Sequence, residues 1–220
     1  MNGALWWGAC ESSEYFESMR LSSEVTPRLK LDIHAPEDID AVFAIASDPR
    51  TWAHLPRARS ADRAPTEEML NMVDRSWREH GLGSWIARLR HDAALPGLEP
   101  GKLVGSGGVN LFPAGVHGTF WNLGYRLHPD CWGHGLATEL AIHAIRCAQD
   151  VRPETPVVAR VLTTNPASIA VVKKAGLFEI WEGMPSKATC KMLDGIPAKR
   201  IILAEGMPSA ELLDWRASLG

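Results

Sequence analysis

The segment that most constrains this chain is a glycine-containing turn between a strand candidate and a long helical stretch. Residues 119–127 predict a strand, and residues 136 to about 150 predict a helix. Gly133 and Gly135 lie between them and carry no side chain that could block the start of the helix. The first N–H groups of a helix lack intrahelical partners and bind anions where side chains leave room. The segment therefore predicts an anion-binding helix start.

The same segment also contains four side chains that can bind a metal ion. They are His128, Asp130, Cys131 and His134. Zinc usually takes its ligands as close pairs from two separate segments, and His143 and Cys147, four apart on one helix, could form a second pair. However, His134 and His143 would have to turn toward a common point with Trp132 and several backbone amides between them. We therefore favour anion binding by backbone amides and predict no metal site.

Length and composition exclude several classes of partner. The chain has 220 residues, a formal net charge of -3, and four cysteines without a Cys-x-x-Cys pair. A weakly acidic chain offers no basic field for a polyanion, so we expect no nucleic acid partner. Scattered cysteines suit a reducing compartment, and no segment has the length of a membrane span. We therefore expect a cytoplasmic protein that does not bind a membrane.

The chain divides into three parts. We expect an N-terminal extension at residues 1–26, one domain at residues 27–205 and a C-terminal tail at residues 206–220. Within the domain, seven stretches predict strands, and short connections favour antiparallel neighbours. Four further stretches predict helices, which begin near Pro36, Ala64, Leu136 and Pro166. The sequence therefore predicts an α/β (α+β) fold with a mixed, mostly antiparallel sheet of about seven strands and helices on both faces.

The helix that begins near Ala64 has a clear apolar face. Four apolar side chains follow one another there at helical spacing, and they are Met69, Met72, Val73 and Trp77. We expect this face to be buried.

A second polar cluster lies where another strand candidate meets a helix. Asn165 and Ser168 follow residues 157–164 and stand at the start of a helix over residues 166–175. In one interpretation these two side chains only cap the helix. In the other they hydrogen-bond to a ligand that lies between this helix start and the glycine-containing turn. The spacing by itself leaves both interpretations open.

Together the two clusters resemble the signatures of the GNAT superfamily of acetyl-CoA-dependent N-acetyltransferases. Residues 124–139, GYRLHPDCWGHGLATE, are similar to a segment of the branch that contains the ribosomal-protein N-terminal alanine and serine acetyltransferases. The second signature, Asn-x-x-Ser followed by Lys-x-Gly-Phe, is matched at residues 165–168 and 174–177, with leucine in place of phenylalanine. The resemblance covers about residues 27–205 and implies the GNAT fold.

The resemblance implies acetyl-CoA as co-substrate and no metal. The amides of the turn would bind the pyrophosphate, and backbone groups of the strand at residues 119–127 would hold the pantetheine arm and the thioester oxygen. Carried over residue by residue, the contacts fall on Tyr125, Leu127, Trp132, Gly133, His134, Gly135, Leu136, Ala137, Thr138, Asn165, Ser168 and Lys174.

The resemblance also implies direct attack of a neutral amine on the thioester in a ternary complex. Many members protonate the leaving thiolate with a tyrosine, but the matching position here is Val172. Ser168 is an alternative acid, although a role in capping or cofactor contact fits it equally well. Asn122 could position a water molecule, and His128 could titrate near neutral pH as a base. Ser168, Asn122 and His128 are therefore the catalytic candidates.

The sequence constrains the acceptor less than the donor. In this family the acceptor lies between the early helices and the late hairpin, here residues 51–63 and 184–199, where Trp52, His54 and Trp85 could line a pocket. We expect a protein or peptide N terminus as acceptor. A small amine (a polyamine, an amino sugar or an antibiotic) and a CoA-binding module without turnover are the alternatives. A homodimer is compatible with the resemblance.

Overall fold

The computed structural model describes residues 20–59, 61–113, 118–184 and 198–206, which build one sheet with helices packed against it. Its strands are Ser23–Val25 (β1), Leu29–Asp32 (β2), Ser84–Leu89 (β3), Leu103–Pro113 (β4), Thr119–Leu127 (β5), Val157–Leu162 (β6), Phe178–Gly183 (β7) and Arg200–Ala204 (β8). In these described residues the eight strands lie in the order β1-β2-β3-β4-β5-β6-β8-β7. Every neighbouring pair is antiparallel except β5 and β6, which are parallel.

The described residues also form α-helices at Ile39–Ser47 (α1), Ala64–His80 (α2), Leu136–Val151 (α3) and Pro166–Lys174 (α4). Proline stands in the first turn of α2 and of α4, where a missing N–H removes no intrahelical hydrogen bond. Helix α1 packs against α2, and α3 packs against α4. The helices thus form two pairs.

The two faces of the sheet can be distinguished at β5, because successive side chains of a strand point to opposite faces. Tyr125 Oη lies 3.0 Å from Ser168 Oγ of α4. Arg126 Nη1 donates to Thr51 O, in the segment that follows α1, at 2.9 Å. We call the side of Tyr125 the α4 face and the side of Arg126 the α1 face.

The main hydrophobic core contains Trp85 of β3, which is fully buried. Its ring packs edge-on against Trp77 with centroids 5.5 Å apart, and its indole N–H donates to Leu21 O at 2.8 Å. A buried indole needs such an acceptor, so Trp85 fixes the residues before β1 to the core. Trp85, which from the sequence could line either the acceptor pocket or the core, is therefore a core residue.

The observed sheet confirms the predicted fold class, and all seven predicted strands are present. The additional strand is β1, which lies in residues assigned to the extension at 1–26 and pairs with β2 from Ser23 to Val25. A strand of three residues is too short to show alternation, which explains why the sequence did not predict it. Residues 1–19 and 207–220 lie outside the described residues.

Candidate active site

A gap opens in the sheet between β5 and β6. These strands pair at only two positions, Trp121 with Val157 and Asn122 with Val158. Beyond Asn122, β5 continues along β4 as far as Leu127, but within the described residues no strand pairs with its other edge. The two parallel strands therefore diverge toward their carboxyl ends and leave an edge of β5 open.

The open edge of β5 presents backbone groups to the gap. The N–H of Trp121 donates toward β6, to Pro156 O, at 3.0 Å. Backbone groups of a strand alternate in direction, so the groups of Leu123, Tyr125 and Leu127 point the same way as those of Trp121. The gap is therefore lined by backbone donors and acceptors that a ligand can use.

The turn that follows β5 holds its amides open. Gly133 and Gly135 have φ angles of 80° and 76°, in the left-handed region that favours glycine. A Cβ atom at Gly133 would meet nothing within 4 Å, and one at Gly135 would meet only Arg28 Nη2 at 3.5 Å. The indole N–H of Trp132 donates to Leu127 O at 3.1 Å and so fixes the turn to the end of β5. Helix α3 begins directly after this turn, with an unobstructed N terminus.

An ion pair connects the turn with the start of the sheet. Arg28 Nε donates to Glu139 Oε2 at 2.7 Å, and Arg28 Nη1 donates to His134 O at 2.7 Å. Glu139 Oε1 accepts from the Thr26 hydroxyl at 2.5 Å and from the Arg28 N–H at 2.8 Å. Burial raises the pKa of Glu139, but these hydrogen bonds outweigh burial and hold its pKa below the usual range. Glu139 is therefore a charged anchor at neutral pH.

The start of α4 faces the same gap. Asn165 Oδ1 accepts the N–H of Ser168 at 3.1 Å, which is a helix cap. Ser168 Oγ and Tyr125 Oη are 3.0 Å apart, and either can donate to the other. Burial raises the pKa of Tyr125 to about 12, against the lowering effect of its hydrogen bond with Ser168. The phenol is therefore protonated at neutral pH, and a proton can pass between these two hydroxyl groups.

On the opposite side of β5, the α1 face contains a cavity of about 230 Å³. It is lined by Val42, Ile45, Ala46, Met69, Ser84, Ser106, Gly107, Asn110, Gly124, Tyr125 and Arg126. Asn110 Nδ2 donates to Ser84 Oγ at 2.9 Å, so this amide is satisfied within the protein. Another cavity, of about 310 Å³, is lined by residues of α1, α2 and the turn before α1 and lies apart from β5, β6 and α4.

Arg126 is the one charged side chain among the described residues that line the 230 Å³ cavity. Its Nη1 donates to Thr51 O at 2.9 Å and to Thr51 Oγ1 at 3.1 Å. Its Cζ lies 3.7 Å from the centroid of the Trp52 ring, in a cation–π contact. Burial lowers the pKa of Arg126 to about 10, so the guanidinium stays charged at neutral pH. The cavity wall is therefore positively charged.

A family model for the acetyltransferase (GNAT) domain matches residues 28–177, which include the gap, the turn and α4. The chain belongs to the GNAT acetyltransferase family. This GNAT protein is thus an acetyl-CoA-dependent acetyltransferase, and acetyl-CoA is its donor substrate.

Solved structures with a similar fold include several acetyltransferases. An acetyltransferase from Agrobacterium tumefaciens is 20% identical, over 84% of this chain and 94% of its own, with a TM-score of 0.62. RimL, a ribosomal L7/L12 alpha-N-protein acetyltransferase in complex with coenzyme A, is 15% identical over 82% and 95%, with a TM-score of 0.58. A spermidine N-acetyltransferase from Vibrio cholerae, in complex with CoA and spermine, is 13% identical over 84% and 98%, with a TM-score of 0.56. At these identities the similarity shows the fold.

In this GNAT enzyme, most residues predicted to bind acetyl-CoA lie around the gap and the turn. Tyr125 and Leu127 are on the open edge of β5, and residues 132–138 form the turn and the first turn of α3. Asn165 and Ser168 lie at the start of α4, where both also take part in the cap. Lys174 is exposed in the last turn of α4, so the structure does not bring it together with the others.

The three catalytic candidates lie in different surroundings. Ser168 is beside Tyr125 at the gap. Asn122 is paired with Asn110 across β4 and β5, and so points to the α1 face. His128 Nδ1 accepts the N–H of Asp130 at 3.2 Å, which caps a short turn after β5, and His128 does not line the 230 Å³ cavity within the described residues.

Neither a metal centre nor a membrane span is found in the described ranges. No three of their His, Cys, Asp and Glu side chains are grouped so that they could hold a metal ion. Cys131, one of the four potential ligands in the sequence, is 1% exposed and packs in the core. No helix within residues 20–59, 61–113, 118–184 and 198–206 is long and apolar enough to cross a bilayer.

Two side chains of the site were not predicted from the sequence. Arg28 and Arg126 were not among the predicted site residues, although Arg28 contacts the turn and Arg126 lines the 230 Å³ cavity. Alternation along β5 could have indicated Arg126, because it places this side chain opposite to that of Tyr125. No local signal could have paired Arg28 with Glu139, since 111 positions separate them.

Proposed function

We propose that this acetyltransferase modifies the α-amine of a protein or peptide N terminus. The proposal rests on the 230 Å³ cavity, which has Arg126 in its wall and no Asp or Glu among its described lining residues. A positive wall disfavours a bound ammonium ion and favours the neutral amine. A peptide α-amine has a pKa of about 7.7–8.0, against about 10.4 for a lysine side chain, so it reaches the neutral form more easily.

The same observation argues against a polyamine acceptor. A polyamine carries further ammonium groups besides the one that reacts, and these need carboxylates in the site. The described lining of the cavity offers hydroxyl, amide and apolar groups together with one guanidinium. This chain shares its fold with a spermidine N-acetyltransferase, but we do not propose a polyamine site in it.

For the donor, we assign pyrophosphate binding to the amides of residues 133–138, at the N terminus of α3. The open edge of β5 receives the pantetheine arm. The N–H of Tyr125 or of Leu127 donates to the thioester oxygen and stabilises the negative charge that develops on it.

The transfer itself is a direct attack. The lone pair of the amine forms a bond to the carbonyl carbon of the thioester, and collapse of the tetrahedral intermediate breaks the C–S bond. Ser168 Oγ–H gives its proton to the leaving thiolate, and the Tyr125 phenol, 3.0 Å away, returns a proton to Ser168. The amine nitrogen loses its extra proton to water, and solvent returns a proton to the Tyr125 phenolate, which restores both hydroxyl groups for the next turnover.

We assign the removal of the amine proton to solvent, positioned by Asn122 on the α1 face. His128 is a weaker choice, because its Nδ1 already accepts a backbone N–H and lies 3.5 Å from the Asp130 carboxylate. An enzyme that binds the neutral amine needs no strong base, since proximity alone accounts for much of the acceleration.

The test is the release of CoA thiol from acetyl-CoA over a panel of acceptors. We expect turnover with an uncharged peptide amide such as Ser-Ala-Ala-Ala, with the acetyl group on its α-nitrogen by mass spectrometry. The same peptide with a blocked N terminus is the matched control and should not react. Faster turnover with spermidine or glucosamine would contradict the peptide proposal. Tight CoA binding without turnover on any acceptor would indicate a CoA-binding module instead.

A further inference from the structure

Two arginines of neighbouring strands share the side of the sheet on which the 230 Å³ cavity lies. A small hydrophobic cluster contains Phe120 of β5 and Val158 of β6. Because side chains alternate along each strand, Arg126 shares the face of Phe120 and Arg160 shares the face of Val158. The α1 face therefore carries the guanidinium groups of Arg126 and Arg160 next to the gap, with Arg200 of β8 on the same face beside Arg160.

These two arginines differ from Arg28, whose charge is balanced by Glu139 at 2.7 Å. Within the described residues, neither Arg126 nor Arg160 has a carboxylate within ion-pair distance. Burial lowers the pKa of both, and the charge of the neighbouring Arg200 lowers that of Arg160 further. A half-buried charge without a counter-ion is costly for the folded protein. A bound anion would remove that cost.

Arg126 is also prepared to bind such an anion. Its Nη1 is occupied by Thr51 and its plane is stacked on Trp52, which fixes the orientation of the guanidinium. Its Nε and Nη2 make no hydrogen bond to any described residue, and Arg126 lines the cavity. Nε and Nη2 are the pair of donors that bind a carboxylate through two parallel hydrogen bonds. Both donors that bind a carboxylate in this way are thus held in position, and neither has a hydrogen-bond partner among the described residues.

We propose that Arg126 is a specificity-determining residue that receives a carboxylate of the acceptor, so that the preferred acceptor is a peptide α-amine followed closely by acidic side chains. This inference rests on the proposed function and narrows its substrate class. The acidic side chain contributes a counter-ion that the described residues do not supply, while the α-amine lies toward the open edge of β5. A basic peptide would instead place like charges together on the α1 face.

The experiment compares three peptide amides that differ only in charge, Ser-Asp-Glu-Ala, Ser-Ala-Ala-Ala and Ser-Lys-Lys-Ala, with free glutamate as a fourth acceptor. We expect kcat/KM for the acidic peptide to exceed that for the neutral peptide about 10- to 100-fold, as a charge-assisted contact allows. In Arg126→Gln this ratio should fall to near one. Arg126→Lys keeps the charge but not the two parallel hydrogen bonds, so its ratio should be intermediate.

Arg75→Gln is the matched control, because Arg75 is exposed on α2 and is not one of the described lining residues. This variant loses one positive charge, as Arg126→Gln does, but its ratio of kcat/KM for the acidic peptide to that for the neutral peptide should stay at the wild-type value. If Arg126→Gln does not fold, as judged by circular dichroism, two other measurements provide the test. Arg160→Gln removes one of the two charges and should reduce the preference for the acidic peptide. High salt should reduce this preference in the wild-type enzyme, since salt screens the charges.

Equal rates for the acidic and basic peptides, or a preference that survives in both Arg126→Gln and Arg160→Gln, would overturn the inference and leave N-terminal acetylation intact. A higher rate with free glutamate than with the acidic peptide would overturn the assignment to a peptide. Absence of turnover on all peptides would overturn the proposed function itself, and this inference with it.

Discussion

Glu139, in the first turn of α3, connects the start of the sheet with the helix that follows the glycine-containing turn. It accepts from Thr26 and Arg28, and Arg28 also holds His134 O. Removing one partner of a partly buried pair leaves the other charge uncompensated. We expect Glu139→Gln to lower the free energy of unfolding by about 1–3 kcal/mol and to weaken acetyl-CoA binding, measured by urea unfolding and by calorimetry.

The matched control for Glu139→Gln is Asp32→Asn. Asp32 is half-buried, pairs with the exposed Lys30 at 3.2 Å and accepts from the Ser23 hydroxyl at 2.7 Å. A pair with an exposed partner contributes little and the oxygen of Asn can still accept from Ser23, so this variant should change both measurements only slightly. Equal losses in the two variants would contradict an anchoring role for Glu139.

The charge of Glu139 also makes the stability depend on pH. Its pKa is lowered in the folded protein, because its hydrogen bonds outweigh the effect of burial. Its contribution is therefore present above the pKa of an unfolded glutamate, about 4.3, and is lost as the pH falls through the lower folded value. We expect the stability difference between the wild type and Glu139→Gln to shrink below about pH 4.3. Urea unfolding across this range measures it, and a constant difference would refute the prediction.

Ser168 and Tyr125 can be separated by their effects on kcat and KM. If Ser168 protonates the thiolate, Ser168→Ala should lower kcat about 100-fold, which is the lower range for a general acid. Tyr125→Phe keeps the ring and removes only the second proton donor, so its effect should be smaller. Because the pKa of Tyr125 is about 12, its deprotonation should not lower kcat at any lower pH. A higher KM for acetyl-CoA with an unchanged kcat in Ser168→Ala would assign that residue to cofactor contact instead.

At the level of elements, the turn before α3 acts through its backbone. Gly135 has a φ of 76°, and the space in front of it contains only Arg28 Nη2, at 3.5 Å. We expect Gly135→Val to reduce acetyl-CoA affinity at least tenfold by calorimetry, because its side chain covers the amides and strains the turn. Gly97→Val is the control, since Gly97 has a φ of 75° in an exposed loop with nothing within 4 Å. Equal loss of affinity in both variants would attribute the effect to backbone strain alone.

The elements could be predicted well from the sequence, whereas their buried faces could be predicted only in part. Helix α2 begins at Ala64 and ends before Gly81 as the pattern indicates, and Val73 and Trp77 are buried as expected. Met72, however, is 47% exposed, and Leu70 is buried. Spacing fixes which residues share a face, but the packing of α2 on its neighbours decides where the buried face ends.

At the scale of the whole molecule, the gap divides the sheet into β1–β5 and β6–β8, which pair at only two positions. In our proposal the donor binds in the gap, contacts both groups and so stabilises the folded state. At 100 times its Kd, acetyl-CoA should add about 2.7 kcal/mol. For a chain of this size we expect a rise in Tm of roughly 5–10 °C, measured by thermal unfolding. Adenosine alone, which cannot span the gap, should raise Tm less, and an equal rise would contradict donor binding in the gap.

The sequence by itself determined the order of the elements, the mixed sheet and the amide-bearing turn, because each depends on residues close together in the chain. Gly133 and Gly135 determine the turn wherever the rest of the chain lies. Only the tertiary structure decided that Arg126 contacts Thr51, 75 positions away, and that Tyr125 meets Ser168, 43 positions away. Contacts of this kind depend on strand register and on helix packing, which local patterns do not specify. The turn that we propose as the donor site could therefore be located from the sequence, whereas the charge in the wall of the 230 Å³ cavity emerged only when the strands were assembled.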